Sequence, residues 1–217
     1  MEKSMQESEL YEERFGFKER RSNFRFYVFL LFVLFLLLGI RLWWTAKFFG
    51  VLVDGSSMVN TLRHGDKLLA QRLENADELA RGSIIIVDVS GYEECKGVKD
   101  GLLIKRLIAK EGDKVRCTDG QIEIWYDGAD GYVPLDEPYA YYENKYAYDF
   151  AEYTVGEGEI FFLGDNRNHS KDSRYYDYLK EGSNLQDRLY KSADVCGVVT
   201  EWAVKHREIL GSILFIE

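Results

Sequence analysis

Basic residues are in deficit. Lys and Arg total 28 against 37 Asp and Glu in 217 residues, a net charge of -9, which argues against a polyanionic partner such as nucleic acid. Histidine is scarce, with only His64, His169 and His206, and no pair has the HExxH or i,i+4 spacing of a zinc helix. Cysteine is scarcer than a metal cluster needs: Cys95, Cys117 and Cys196 lie far apart, and an odd count leaves at least one thiol unpaired within the chain. No GxSxG elbow surrounds any serine, which disfavours a hydrolase triad of that kind. Internal repeats and low-complexity tracts are missing too, and the length rules out a large multidomain enzyme. No metal and no cofactor are expected.

What the chain does have is one long apolar run. Residues 26–40 read FYVFLLFVLFLLLGI, uncharged between Arg25 and Arg41. As a helix these 15 residues rise about 22 Å, short of a bilayer core of about 30 Å. Extension through Trp43, Trp44 and Ala46 completes a span over 26–46, with Arg25 and Arg41 snorkelling and the Trp pair at an interface. The alternative, a buried helix of a soluble protein, is disfavoured because a helix apolar all round has no solvent face. Arg41, Trp43 and Trp44 occupy the place of a small-residue cleavage site, so a retained anchor is expected. Arg14, Lys18, Arg20, Arg21 and Arg25 precede the run, whereas only Arg41 and Lys47 follow closely, which predicts a cytoplasmic segment 1–25 and an extracytoplasmic domain 47–217 in a cell membrane. Six acidic and six basic residues balance in 1–25, so the whole excess of negative charge belongs to the exported part.

Beyond the span, short apolar runs between turn signals predict a mainly β, antiparallel domain: Val51–Val53, Lys67–Gln71, Ser83–Val89, Leu102–Ala109, Lys114–Cys117, Gln121–Trp125, Glu159–Leu163 and Ala193–Thr200. His64-Gly65-Asp66, Glu111-Gly112-Asp113 and Asp127-Gly128 mark turns. The Tyr-rich, acidic stretch from about 118 to 158 holds Pro134 and Pro138 and reads as a small inserted lobe. A short helix is expected over Ser183–Lys191, and a last strand or hydrophobic tail at Leu210–Phe215.

With histidine discounted, an activated serine needs a lysine base, which must sit in an apolar setting that lowers its proton affinity. Lys105 fits, because period-two alternation in Leu102–Ile108 places Leu103 and Leu107 beside it on one strand face. An amphipathic edge strand carrying a solvated lysine is the competing reading of that segment alone. Two further blocks bear on it. One is Val53-Asp54-Gly55-Ser56-Ser57-Met58-Val59-Asn60-Thr61-Leu62. The other, Gly164-Asp165-Asn166-Arg167-Asn168-His169-Ser170-Lys171-Asp172-Ser173-Arg174, packs hydroxyls, carboxylates and guanidiniums directly after an apolar strand.

Together the three blocks resemble the bacterial type I signal peptidases, membrane-anchored serine proteases of peptidase family S26 with a Ser/Lys dyad. The serine box matches at Gly55, Ser57, Met58, Thr61 and Leu62, the lysine box at Ile104-Lys105-Arg106 with Gly112-Asp113, and the late box from Gly164 to Arg174. The resemblance implies a signal-peptidase-like antiparallel β-sheet domain with a small inserted β lobe behind one transmembrane helix. It makes Ser57 the nucleophile and Lys105 the general base, with Ser170 orienting the amine. Asp172, Arg174 and Arg106 would brace the site from below, Asp165 would hold the turn, and Gly55, Ser56 and Met58 would border the substrate. Asn60 stands where the family usually has proline, so the loop after Ser57 is expected to lose a fixed φ. Gly55 replaces a serine found in some members, leaving the oxyanion to backbone amides.

The implied activity is removal of signal peptides from exported preproteins after an Ala-x-Ala-like site, through an acyl-enzyme, with Met58, Phe48 and Phe49 as a candidate apolar rim at the membrane. Expected partners are signal peptides, the lipid bilayer and the secretion translocon. The alternatives are a soluble self-cleaving Ser/Lys protease, an organellar processing peptidase, and a membrane-anchored non-catalytic binding or assembly module of the same fold.

Overall fold

A computed structural model describes residues 2–73, 78–92, 95–144, 149–174 and 190–209. It divides into two units, Met1–Ala46 and Lys47–Glu217. In the first, helix α1 runs Glu2–Lys47. Its portion Asn23–Lys47, with a mean hydropathy of 2.4, is long and apolar enough to cross a membrane. From Phe24 to Leu42 its large apolar side chains point outward with little cover from the rest of the unit.

The second unit is built on two antiparallel sheets. Strands β1 (Phe48–Leu52), β2 (Lys67–Arg72), β3 (Ile84–Asp88), β4 (Leu102–Lys110), β9 (Glu159–Leu163), β10 (Tyr190–Lys191) and β11 (Val195–Val199) form a seven-stranded sheet ordered β1-β2-β11-β3-β4-β9-β10. Strands β5 (Lys114–Thr118), β6 (Gln121–Trp125), β7 (Val133–Pro134) and β8 (Phe150–Thr154) make a smaller sheet ordered β7-β6-β5-β8. A helical turn, α2 (Glu201–Lys205), is capped at Thr200, whose hydroxyl accepts the Ala203 N–H. The fold is therefore mainly β with an extra small β lobe, as the sequence leads one to expect.

The run Ile84-Ile85-Ile86-Val87 explains why the large sheet is buried on both faces. Ile84 and Ile86 pack with Val51, Val53, Met58, Leu62 and Leu68. Ile85 and Val87 pack on the opposite side with Leu107, Phe162 and Tyr190. A strand covered on both faces reads as a continuous apolar run rather than an alternation. A third cluster joins the two sheets, where Ile108, Phe161 and Leu163 meet Val115, Ile122, Ile124, Phe150 and Tyr153.

Strand β4 lies in the interior of the sheet, between β3 and β9, with Ile85 opposite Lys105 and Leu163 opposite Arg106. The reading of Lys105 as a solvated lysine is wrong, because it is only 3% exposed; β3 pairs with β4 along Leu102–Arg106 and β9 only from Arg106 to Lys110, so the far edge of Leu102–Ile104 has no strand partner among the described residues. Met58 is 2% exposed and belongs to the core, so it is no part of an apolar rim at the surface. Tyr190 and Lys191 pair with β9 as a strand rather than ending a helix. The rest of the helix expected from Ser183, and the last strand expected at Leu210–Phe215, lie outside the described residues.

Candidate active site

The loop after β1 turns back on itself before β2. Val53 N–H donates to the carbonyl of Asp66, and Gly65 N–H to that of Val53, closing the loop at its base. Gly55 takes φ +105°, a conformation that glycine reaches without strain. Met58 and Leu62 point into the core and anchor the far side. Between these fixed points Ser57 is held half-buried.

Lys105 approaches from β4. Its Nζ lies 2.8 Å from Ser57 Oγ and donates to the carbonyl of Ile104 at 3.0 Å. Only 3% of Lys105 is exposed, and burial pushes its pKa down to about 8, against the pull of Asp172, Asp165 and Cys95, which favour the ammonium. Dehydration outweighs attraction because both carboxylates are already committed to guanidiniums.

Those commitments form two separate ion pairs rather than one brace. Arg106 holds Asp165 through two bonds, Nε to Oδ1 at 2.8 Å and Nη2 to Oδ2 at 2.6 Å, and Thr61 donates its hydroxyl to the same carboxylate. Arg174 holds Asp172 with Nε and Nη2, each at 2.9 Å, and the Gly164 N–H donates to Asp172 Oδ2. The paired Arg174 keeps the Asp172 carboxyl below its ordinary pKa despite its burial. Buried pairs of this kind are worth little net stability when complete but are costly to break. They fix geometry.

Asn166 ties the late loop to the serine loop. Its backbone N–H donates to the Ser57 carbonyl at 2.9 Å, and its Nδ2 to the Ser56 carbonyl at 3.2 Å. Ser170 lies close by but makes no hydrogen bond to Lys105. Its hydroxyl is buried beside Gly164 and favours the ionised Asp172 carboxylate. No side chain fits at 164, where a Cβ would stand 2.1 Å from Ser170 Oγ and 2.5 Å from the Ser57 carbonyl oxygen.

A cleft of about 400 Å³ opens beside the serine, walled by Phe49–Asp54 on one side and Gly97–Asp100 with Leu102–Ile104 on the other. Ser57, Met58 and Lys105 lie in its lining. Gly55 and Ser56 are exposed beside it. Lys99 reaches Asp54 from the opposite wall at 3.6 Å.

The sequence reading missed a third support. Glu137 pairs with Arg167, which is 1% exposed, through Nη2 and, at 2.9 Å, through Nη1. Tyr142 shares the carboxylate, and Tyr139 lies over Arg106. The available signal was the composition of 137–142, Tyr-rich with one carboxylate, which nothing in the sequence directed toward the late loop.

A signal peptidase I of Bacillus licheniformis is 36% identical over 132 residues, 57% of this chain and 64% of that protein. A probable signal peptidase I-2 of Synechocystis is 30% identical over 128 residues, 58% of this chain and 55% of that one. The chain thus spans between about half and two thirds of the length of these relatives. A crystal structure of a signal peptidase I from Enterococcus faecalis covers 57% of this chain and 97% of its own, at 28% identity and a TM-score of 0.40. The family model for signal peptidase, peptidase S26, matches residues 24–188, well over half of the 217, and the chain belongs to that family.

Proposed function

We propose that this chain is a membrane-anchored serine endopeptidase that removes signal peptides from exported preproteins, with Ser57 as nucleophile and Lys105 as general base. The observation that carries the reading is the 2.8 Å contact between Ser57 Oγ and a lysine amine whose pKa burial lowers to about 8.

The neutral amine accepts the Ser57 proton as Oγ attacks the scissile carbonyl. The Ser57 backbone N–H, fixed by the loop, is the nearest donor for the developing oxyanion, and each such donor is worth about 10²–10³ in rate. Lys105 then protonates the leaving amine, and the acyl-enzyme is hydrolysed by a water that gives its proton to the same nitrogen. Asp165, Asp172, Arg106 and Arg174 stay out of the proton path and hold the strand and loop in register. Ser170, buried beside Gly164, has a free hydroxyl lone pair with which to steady the amine once it moves.

An extended substrate fits the cleft between the Phe49–Asp54 and Leu102–Ile104 walls, where backbone pairing supplies affinity and small side chains fit the shallow lining. Helix α1 serves as the anchor through Asn23–Lys47, with the basic flank cytoplasmic and the β domain outside. Signal peptides, the bilayer and the secretion translocon are the partners this role requires.

The test incubates the detergent-solubilised protein, with Ser57→Ala and Lys105→Ala variants, with a preprotein bearing an Ala-x-Ala site, and maps any new amino terminus by mass spectrometry. Cleavage after the second alanine, abolished in both folded variants, is the expected result. Full activity in either variant, or no cleavage of several preproteins by the folded wild type, overturns the reading.

A further inference from the structure

We propose that Tyr139, contributed by the segment between β7 and β8 of the small sheet, is a positioning residue for the Ser57–Lys105 pair, acting through Arg106. The proposal rests on the dyad assignment above and extends it to a side chain outside all three motif blocks.

Arg106 commits four of the five N–H groups on the edge of its guanidinium. Nε and Nη2 go to Asp165, Nη1 goes to the Gly82 carbonyl at 2.6 Å, and Nη2 also reaches Thr61 Oγ1 at 3.4 Å. Tyr139 stacks against the same group, with its ring centroid 3.8 Å from the guanidinium carbon. A ring at that distance excludes water from a buried ion pair that water would otherwise loosen.

The ring cannot drift, because the segment that carries it is fastened on both sides. Tyr141 N–H donates to the Asp165 carbonyl at 2.7 Å, Arg167 N–H donates to the Tyr141 carbonyl at 2.9 Å, and Glu137 is locked to Arg167. The same residues of the late loop that receive this segment, Asp165 and Asn166, hold Thr61 and the carbonyls of Ser56 and Ser57. Tyr139 therefore sits at the end of a short physical chain: ring, guanidinium, carboxylate, serine loop.

The consequence for the base follows from the charges around it. Lys105 faces Ser57 from the serine loop, Asp165 and Asp172 from the late loop, and Cys95 from the segment before β4. Arg106 and Arg174 neutralise the two carboxylates. Without the ring, water reaches Arg106, its grip on Asp165 slackens, and the carboxylate acts less screened on the amine. Hydration and the carboxylate both favour the ammonium, so the base becomes harder to deprotonate.

The test uses the full chain in detergent with Tyr139→Leu, Tyr139→Met and Tyr139→Phe. Two readouts are taken across pH: kcat/KM on a signal-peptide substrate, and the Lys105 titration by NMR on protein carrying ¹³C at the lysine ε-carbon, assigned with Lys105→Met. Tyr139→Phe keeps the ring, and its hydroxyl makes only a 3.4 Å contact to Glu137, so it should match wild type in both. Leu and Met should shift the Lys105 midpoint upward by about half to one pH unit, lowering kcat/KM about three- to tenfold at pH 7 with recovery toward wild type at high pH. An unmoved midpoint in any folded variant lacking the ring, or a rate depressed equally at every pH, overturns the proposal. A wild type that cleaves nothing overturns the proposed function, while the NMR titration still decides the role of Tyr139.

Discussion

Asn166 grips the serine loop at two consecutive carbonyls, donating its backbone N–H to Ser57 and its side-chain Nδ2 to Ser56. The backbone bond survives any substitution, but the side-chain bond does not. Asn166→Ala should therefore lower kcat about fivefold to tenfold, the effect of about 1 kcal/mol from one lost hydrogen bond, with KM little changed. Asn166→Asp should be worse, because a carboxylate oxygen would face the Ser56 carbonyl. Steady-state kinetics of both variants on one peptide substrate checks the order.

The buried lysine imposes a pH dependence on stability whose sign is fixed. Its pKa is about 8 in the folded protein and 10.5 ordinarily. Between those values the unfolded chain holds a proton that the folded one has released, so stability rises with pH across that window. Below about pH 8 the folded protein carries the full cost of a buried ammonium. Lys105→Met should remove that cost, stabilising the protein by about 2 to 3 kcal/mol at pH 7, less the loss of two hydrogen bonds, while abolishing cleavage. Thermal unfolding of both proteins in detergent at pH 7 and pH 10.5 should show the gap closing at the higher pH. The rate should run the other way from an acid-catalysed reaction, with kcat/KM climbing to a plateau above about pH 8.

Asn60 adopts φ +78°, in the left-handed region that asparagine tolerates and proline cannot enter. The residue does more than leave a fixed angle unfixed: it sets a different one. Asn60→Pro, which would restore the family's usual residue, should destabilise this chain by more than about 1 kcal/mol, whereas Asn60→Gly should be neutral or slightly stabilising. Melting temperatures of the two variants, measured side by side, check the opposite signs.

Gly164→Ala places a methyl group against both Ser170 and the Ser57 carbonyl oxygen. Activity should fall at least 100-fold, because the only yielding part is the serine loop itself. Adding Ser170→Gly removes one of the two collisions but not the one with Ser57, so the double variant should stay as impaired as Gly164→Ala. Recovery in the double variant would locate the strain at Ser170 instead.

The nearness of Ser57 and Lys105, on which the proposed dyad rests, was legible in the sequence because the two residues stand in short, ordered blocks. Most strands were legible from apolar runs between glycine turns, with ends displaced by one to three residues, as at β1, which begins at Phe48 rather than Val51. The position of β4 in the sheet was not legible. Alternation assigns residues to faces but says nothing about neighbours: β3 pairs along Leu102–Arg106 and β9 only from Arg106 onward, and it is the packing over its face that buries Lys105. The division of four charged residues into Arg106–Asp165 and Arg174–Asp172 was likewise hidden, since either arginine suits either carboxylate until the loop is folded. Glu137 and Tyr139 were invisible for a related reason. They act across about 30 residues from an irregular segment with no periodicity, and such contacts leave no local trace in the chain.

The two ion pairs around Lys105 have a further consequence for how the base responds to its surroundings. Each pairs one negative with one positive group; Asp172 and Asp165 still favour the ammonium, and what lowers the amine's proton affinity against them is the absence of water. Mobile ions screen exposed charges over about 10 Å at 0.1 M salt, but they have little purchase on an amine set by exclusion rather than by an external field. The proposed peptidase is expected to keep the same working pH range in brackish and dilute media, and to lose it only when something opens the interior to solvent.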